Sequence, residues 1–340
     1  MKRGRTIGTL IAVVLLLGTQ AFGGIVKFPI CQDPGWQRCP KVSGNIVVWE
    51  DLKDVNNGNW DIYGKDLSTG VEFPICTAIY DQSSPSVSGN IVVWADPRQG
   101  AEDCTKKIIY GYNLSTKTEF SIPWEQGYKQ EKPVVSGDWI VYCEGGVRVS
   151  GYNLSTRDKV IIAENQLFPD FDIDNSRVVW SSYTAPLDIM GYDLAKGESF
   201  SVCLDVAEQR NPVISGNFVA WMDYRDGNWD IYGKDLSIGK EFPICTEAQD
   251  QYLGDISGDI VVWEDSRGRI YGYDLITGVE TFYTAGFTPA IDGDLLIFGK
   301  YASSFNDDIY GAYLPEPASL TILFTGAGLL ILRRRLEKVC

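Results

Sequence analysis

A chain of 340 residues without a single histidine must do any acid–base or nucleophilic chemistry with carboxylates, lysines or thiols. Ser-His-Asp and Cys-His nucleophile activation, histidine general bases and histidine-ligated metal centres are excluded. Carboxylates are plentiful: 45 Asp and Glu stand against 30 Lys and Arg, for a formal net charge of −15. The densest run is Pro169-Asp170-Phe171-Asp172-Ile173-Asp174. A pair such as Asp170 and Asp172 is the equipment of a polysaccharide hydrolase or lyase. Oxygen-ligand loops of a calcium type begin at Asp54 and Asp223, with Asn56 and Asp226 as further ligands. Their glycine is at the fifth position and no Glu follows at the twelfth, so neither is an EF-hand, and beyond calcium no cofactor is expected. Of eight cysteines, Cys31, Cys76, Cys203 and Cys245 fall at equivalent positions too far apart to pair, while Cys31–Cys39 and Cys104–Cys143 are feasible bridges.

The elements that would position such groups come from a repeat. The motif Val-Ser-Gly-Asn-Ile-Val-Val-Trp (Val42 to Trp49) returns with its turn residue at Gly44, Gly89, Gly137, Asn175, Gly216, Gly258 and Gly293, at spacings of 35 to 48 residues. Two residues earlier every copy is β-branched. Five residues later every copy is aromatic: Trp49, Trp94, Tyr142, Trp180, Trp221, Trp263 and Phe298. The two positions before that aromatic are apolar throughout, as a strand covered on both faces requires. A second strand of the Ile62-Tyr63-Gly64 type, a third such as Val71 to Cys76 and a short one before the turn make four antiparallel strands per copy. Four strands in about 40 to 45 residues is the period of β-propeller blades. The expected fold is therefore all-β, a seven-bladed β-propeller over residues 24–314. The last copy lacks its outer strand and Ile25 to Cys31 matches one in type, so the N-terminal strand is expected to close the ring. A glutamine seven residues before the turn, as in Gln37, Gln82, Gln130, Gln209 and Gln251, is expected to bond blade to blade.

The pattern Pro-x-Val-Ser-Gly-Asn-Ile-Val-Val-Trp followed by Gly-Asn-Trp-Asp-Ile-Tyr-Gly resembles the TolB-like propeller repeats of bacterial and archaeal surface proteins. That resemblance implies the fold and an extracytoplasmic setting, without one assigned activity. The first and fifth copies are nearly duplicates, with Gly58 to Ser68 identical to Gly227 to Ser237. Loops joining blades, and loops between second and third strands, vary in length and carry Trp36, Tyr80, Trp124, Tyr128, Tyr183, Tyr224 and Tyr252. Flat rings with polar tips suit carbohydrate or protein contacts, so these seven are candidates for a binding face.

Both ends read as addresses. Residues 1–23 hold a basic start, an apolar run from Ile7 to Gly18, and Ala21 and Gly23 at the −3 and −1 positions, the pattern of a secretory signal peptide. Residues 315–340 hold Pro315-Glu316-Pro317, an apolar stretch and Arg333-Arg334-Arg335. This tail resembles the PEP-CTERM sorting signal, with a hydrophobic helix and basic cluster. The resemblance implies handling by an exosortase, after signal peptidase, with transient membrane anchoring. Without residues 1–23 and 318–340 the body carries 23 basic and 44 acidic residues, a net charge of −21. Such a surface argues against nucleic acid as a partner.

Symmetric blades, variable loops and missing histidines together lead to the expectation of a non-enzymatic scaffold. It would be displayed at the bacterial cell surface or in the matrix and would bind an envelope protein or a polysaccharide. The other reading is the carboxylate-dependent hydrolase or lyase built on Asp170 and Asp172.

Overall fold

The apolar runs of the repeat are strands in the computed structural model, which describes residues 25–315 apart from 54–57, 100–105, 126, 168, 184–186 and 304–305. Among the described residues all regular structure is β, and no helix is present to cross a membrane. The signal peptide, the hydrophobic tail helix, Arg333 to Arg335, Asp54, Asn56 and Cys104 lie outside the described residues.

The strands form five four-stranded antiparallel sheets, spanning residues 83–121, 130–164, 171–203, 209–245 and 251–285, and one eight-stranded sheet. None is closed on itself. The eight-stranded sheet joins two four-strand runs through a single parallel bridge, Trp36 to Asp307. One run spans residues 36–76. The other takes 287–313 and adds Lys27–Cys31, which pairs antiparallel with Asn306–Tyr313.

Each sheet begins on an inner strand and turns through the residue the repeat marks. That residue has a left-handed φ near 55° every time, from 54° at Gly89 to 61° at Gly293. Asn175 fills the place at 54° because asparagine tolerates this region better than other side chains. The turn N–H then donates to the residue just before the turn of the preceding sheet. Gly89 donates to Ser43 Oγ, Gly137 to Ser88, Asn175 to Ser136, Gly216 to Asp174 Oδ2, Gly258 to Ser215 and Gly293 to Ser257. Asp292 Oδ2 accepts from Gly44, so the series returns to its first member.

The core lies between sheets. Trp49, Trp94, Tyr142, Trp221, Trp263 and Phe298 are fully buried, each in a cluster shared with a neighbouring sheet. The glycine of Ile-Tyr-Gly is a packing requirement. A Cβ at Gly111 would lie 2.2 Å from Cζ of Phe120, and one at Gly191 2.2 Å from Cζ of Phe200. The outer-strand ring occupies the space a side chain would need.

Candidate functional site

The inner strands meet around a cavity of about 270 Å³, lined from every sheet and from both halves of the largest one. Its chemistry is set three residues before each turn, at Lys41, Ser86, Val134, Asp172, Val213, Asp255 and Ala290. An inner strand is an edge strand, and its N–H groups need acceptors. The polar members supply them across the gap: Val135 donates to Ser86 Oγ (3.1 Å), Ile214 to Asp172 Oδ2 (2.9 Å) and Ile291 to Asp255 Oδ2 (3.2 Å). A bulge two residues earlier, with left-handed φ at Cys39, Ser84, Lys132, Asn211 and Thr288, kinks the strand ahead of these positions.

Lys41, Asp172 and Asp255 thus line one cavity although 131 residues separate the first from the second and 83 the second from the third. Burial, then the nearby Asp255 charge, pushes the Asp172 carboxyl up to about 7, against the pull of the Ile214 N–H and Lys41. Burial also raises Asp255, with Lys41 opposing. With its carboxyl at about 7 Asp172 keeps its proton in a share of molecules near neutral pH, so the cavity offers a proton donor together with a second carboxylate.

These shifts fix a pH dependence. Asp172 near 7, Asp61 and Asp230 near 6, and the raised Asp255 all sit above their unfolded value of 3.8. A raised carboxyl contributes stability that is complete below pH 4 and lost as pH climbs through the folded value. The melting temperature should accordingly fall by about 5 °C between pH 5 and pH 8. A flat or rising profile in thermal scans across that window contradicts the burial of these acids.

The sequence candidates fare unequally. Asp172 faces the cavity, but Asp170 does not join it. Asp170 lies just before the strand Phe171–Asp174, and its carboxylate takes a salt bridge from Lys132 at 3.0 Å. The partner of Asp172 comes from across the cavity, and Lys41, unmarked in the sequence reading, is the third member. Trp36, Tyr183, Tyr224 and Tyr252 are exposed. Trp124 donates its indole N–H to Tyr128 O and Tyr128 lies against Gly145, so these two pack their own loop, while Tyr80 is half-buried and its carbonyl accepts from Asn59 and Gln82. Asp223 is buried on Trp221 and Arg225, while Asp226 accepts the Tyr232 hydroxyl at 2.8 Å. Cys31 and Cys39 are both free thiols, so that bridge is not formed. The glutamines pin the segment that joins sheets, as Gln82 does on Ala78 O and Tyr80 O.

A second constellation was missed, although Trp-x-Asp-x-Arg/Lys in four copies signals it. Trp94 Nε1 donates to Asp96, Arg98 bonds Asp96 and Glu119, and Arg98 reaches Cys76 Sγ of the preceding sheet at 2.9 Å. Asp223 with Arg225 and Asp265 with Arg267 repeat it. In the 36–76 run Lys53 takes the guanidinium's place, bonding Asp33 at 2.8 Å and Glu72 at 3.3 Å. Ligand atoms of Cys31, Asp33, Asp51 and Glu72 all lie within 4.8 Å of one another. A metal ion is possible there, on displacement of Lys53; three sister clusters hold a guanidinium instead.

No protein-family model matches the chain, and no curated protein does. Solved structures do. The β-propeller domain of the Trilobed protease from Pyrococcus furiosus is similar with a TM-score of 0.65 at 12% identity, over 82% of this chain and 96% of that one. This fold is a β-propeller. An oligogalacturonate lyase in complex with manganese is similar at TM-score 0.61 and 15% identity, over 84% and 90% of the two chains. A puromycin-hydrolyzing peptidase of Mycobacterium tuberculosis matches at 0.65 and 13% over 82% of this chain, which spans only 52% of that peptidase. The expectation of a non-enzymatic protein is corrected by these likenesses. Propellers of this shape serve within a lyase and peptidases, so symmetry and missing histidines give no ground for excluding catalysis.

Proposed function

We propose that the protein is an exported, seven-bladed β-propeller that cleaves a carbohydrate by carboxylate chemistry in the cavity on its axis. The circuit of turn hydrogen bonds, and the pairing of Lys27–Cys31 with Asn306–Tyr313, support the reading of seven blades closed by the N-terminal strand. The observation that carries the function is the meeting of Asp172, Asp255 and Lys41 in that cavity. The protonated acid of the pair gives its proton to the glycosidic oxygen as the C–O bond breaks. The ionised acid draws a proton from water, which adds to the sugar carbon. Lys41 offsets the charge of the pair. For a uronate substrate the same base instead removes a proton next to the carboxylate, and elimination follows. An oligogalacturonate lyase of similar fold lends that variant support. In the acidic cluster of Asp33, Asp51 and Glu72 the Lys53 ammonium supplies the positive charge.

Export belongs to the same proposal, with residues 1–23 as signal peptide and 315–340 as a sorting tail for an exosortase. Leu295 pairs with Tyr313 and Lys27 with Ala312, so both ends leave where the inner turns lie. A tether there sits beside the cavity mouth and holds the aromatic loops outward, toward a polysaccharide or an envelope protein.

Incubation with a panel of neutral and uronate oligosaccharides should release product, with new reducing ends marking hydrolysis and an unsaturated, ultraviolet-absorbing end marking elimination. Asp172→Asn should lower kcat by at least about 100-fold, whereas Asp170→Asn should not. Absence of product across the panel, or full activity in Asp172→Asn, overturns the reading.

A further inference from the structure

Two residues after each turn the repeat places an apolar side chain, Ile46, Ile91, Trp139, Phe218, Ile260 and Leu295, with one exception, Arg177. The apolar members wedge between neighbouring sheets. Ile46 packs into the cluster of Trp94, Trp139 into that of Phe171, and Leu295 against Val47 and Leu67. Where Arg177 stands there is instead a groove of about 410 Å³ between the 171–203 and 209–245 sheets.

The chain contains its own control. The 209–245 sheet nearly duplicates the 36–76 run, and Lys234 donates to Val202 O at 2.6 Å just as Lys65 donates to Ile30 O at 2.6 Å. The copy with Lys65 meets the Leu295 wedge, while the copy with Lys234 meets Arg177. The groove therefore follows from one substitution in the repeat.

Its charge is opposite to the rest of the protein. Arg177, Lys196 and Lys234 line it with Asp193 and Glu198, on a chain whose net charge is −15. Lys196 is paired with Asp193 at 2.9 Å. Among the described residues neither Arg177 nor Lys234 has an ion-pair partner. Arg177 donates to Asn217 Oδ1 and Gly216 O, and Lys234 to a carbonyl, so both keep N–H donors beyond those the protein uses. Phe200 and Leu236 add apolar surface, and Ser199, Ser201 and Glu198 add groups that bond hydroxyls. A volume within the usual span of small-ligand sites admits a sugar ring or two.

We infer that this groove binds a carboxylate-bearing sugar, a uronate residue of an oligosaccharide, with Arg177 and Lys234 holding the carboxylate. The inference goes beyond the axial cavity and does not depend on cleavage there.

Calorimetric titration of the protein with trigalacturonate should show binding that galactotriose lacks. Arg177→Leu, the residue the repeat uses at position 295, should weaken it by about tenfold or more while leaving the melting temperature unchanged or raised, and Lys234→Met should weaken it likewise. Asp172→Asn should leave it untouched, which keeps this result separate from the fate of the axial site. Trigalacturonate binding equally to the Arg177→Leu and Lys234→Met variants overturns the inference. So does galactotriose binding as tightly, inorganic sulfate alone binding as tightly, or no binding at all.

Discussion

Removal of residues 25–31 should lower the melting temperature by more than about 10 °C or leave the protein insoluble. The segment lines no part of the axial cavity, but it adds the outer strand of the last sheet. Ile30 and Cys31 are buried, and they pack with Val47, Trp49, Ile297 and Ile309 in one cluster. Phe28 stacks on Tyr313 at 5.6 Å and covers Gly311, while Lys27 donates to Thr284 of the adjacent sheet. Losing the burial of Phe28 and Ile30 costs about 1.5–3 kcal/mol each, before any cavity is counted. The deletion also bares Asn306–Tyr313 as an apolar edge open to pairing with other chains. The contrast is Val26→Ala, at a residue 84% exposed, which should melt with the parent. A deletion variant that melts with the parent contradicts the proposed closure of the ring by this strand.

Arg225→Met should destabilise by about 3–5 kcal/mol in denaturant unfolding. The Asp223 side chain is fully buried, and its carboxylate rests on Trp221 Nε1 at 3.0 Å and the Arg225 guanidinium at 2.7 Å. Arg225 also bonds Glu241 at 2.8 Å and lies 4.0 Å from the Tyr232 ring centroid. Taking the guanidinium away leaves a charge in a site from which water is excluded. The double variant Arg225→Met with Asp223→Asn should recover much of the loss, because a neutral amide oxygen still accepts from Trp221. A single variant costing under about 1 kcal/mol would mean that these clamps are surface ion pairs of little consequence.

The acid and cation members of the clamps were in plain view as Asp51 and Lys53, Asp96 and Arg98, Asp223 and Arg225, and Asp265 and Arg267. Reading Asp223 as a loop ligand missed them, because a sequence loop does not show which charge from the same loop folds back on it. The aromatics divide for the same kind of reason. Trp36 and Trp124 are alike in sequence, yet only Trp124 has a carbonyl, Tyr128 O, placed to take its indole N–H. Missing histidines were over-read as missing catalysis, since two carboxylates that line one cavity can supply both proton donor and acceptor.

Local pattern was enough to determine the strands, the left-handed turn at Gly44 and its equivalents, the buried aromatic five residues on, and the glycine beneath each outer-strand ring. Each of these depends on neighbours within one repeat, where spacing along the chain is spacing in space. The tertiary structure alone decided that Asp172 meets Asp255 and Lys41 and not Asp170, and that Arg177 opens a groove where Leu295 closes one. Those encounters join residues from different repeats. The repeat states how deep each side chain sits and which way it points, but only the packing of sheet on sheet brings the exceptions together.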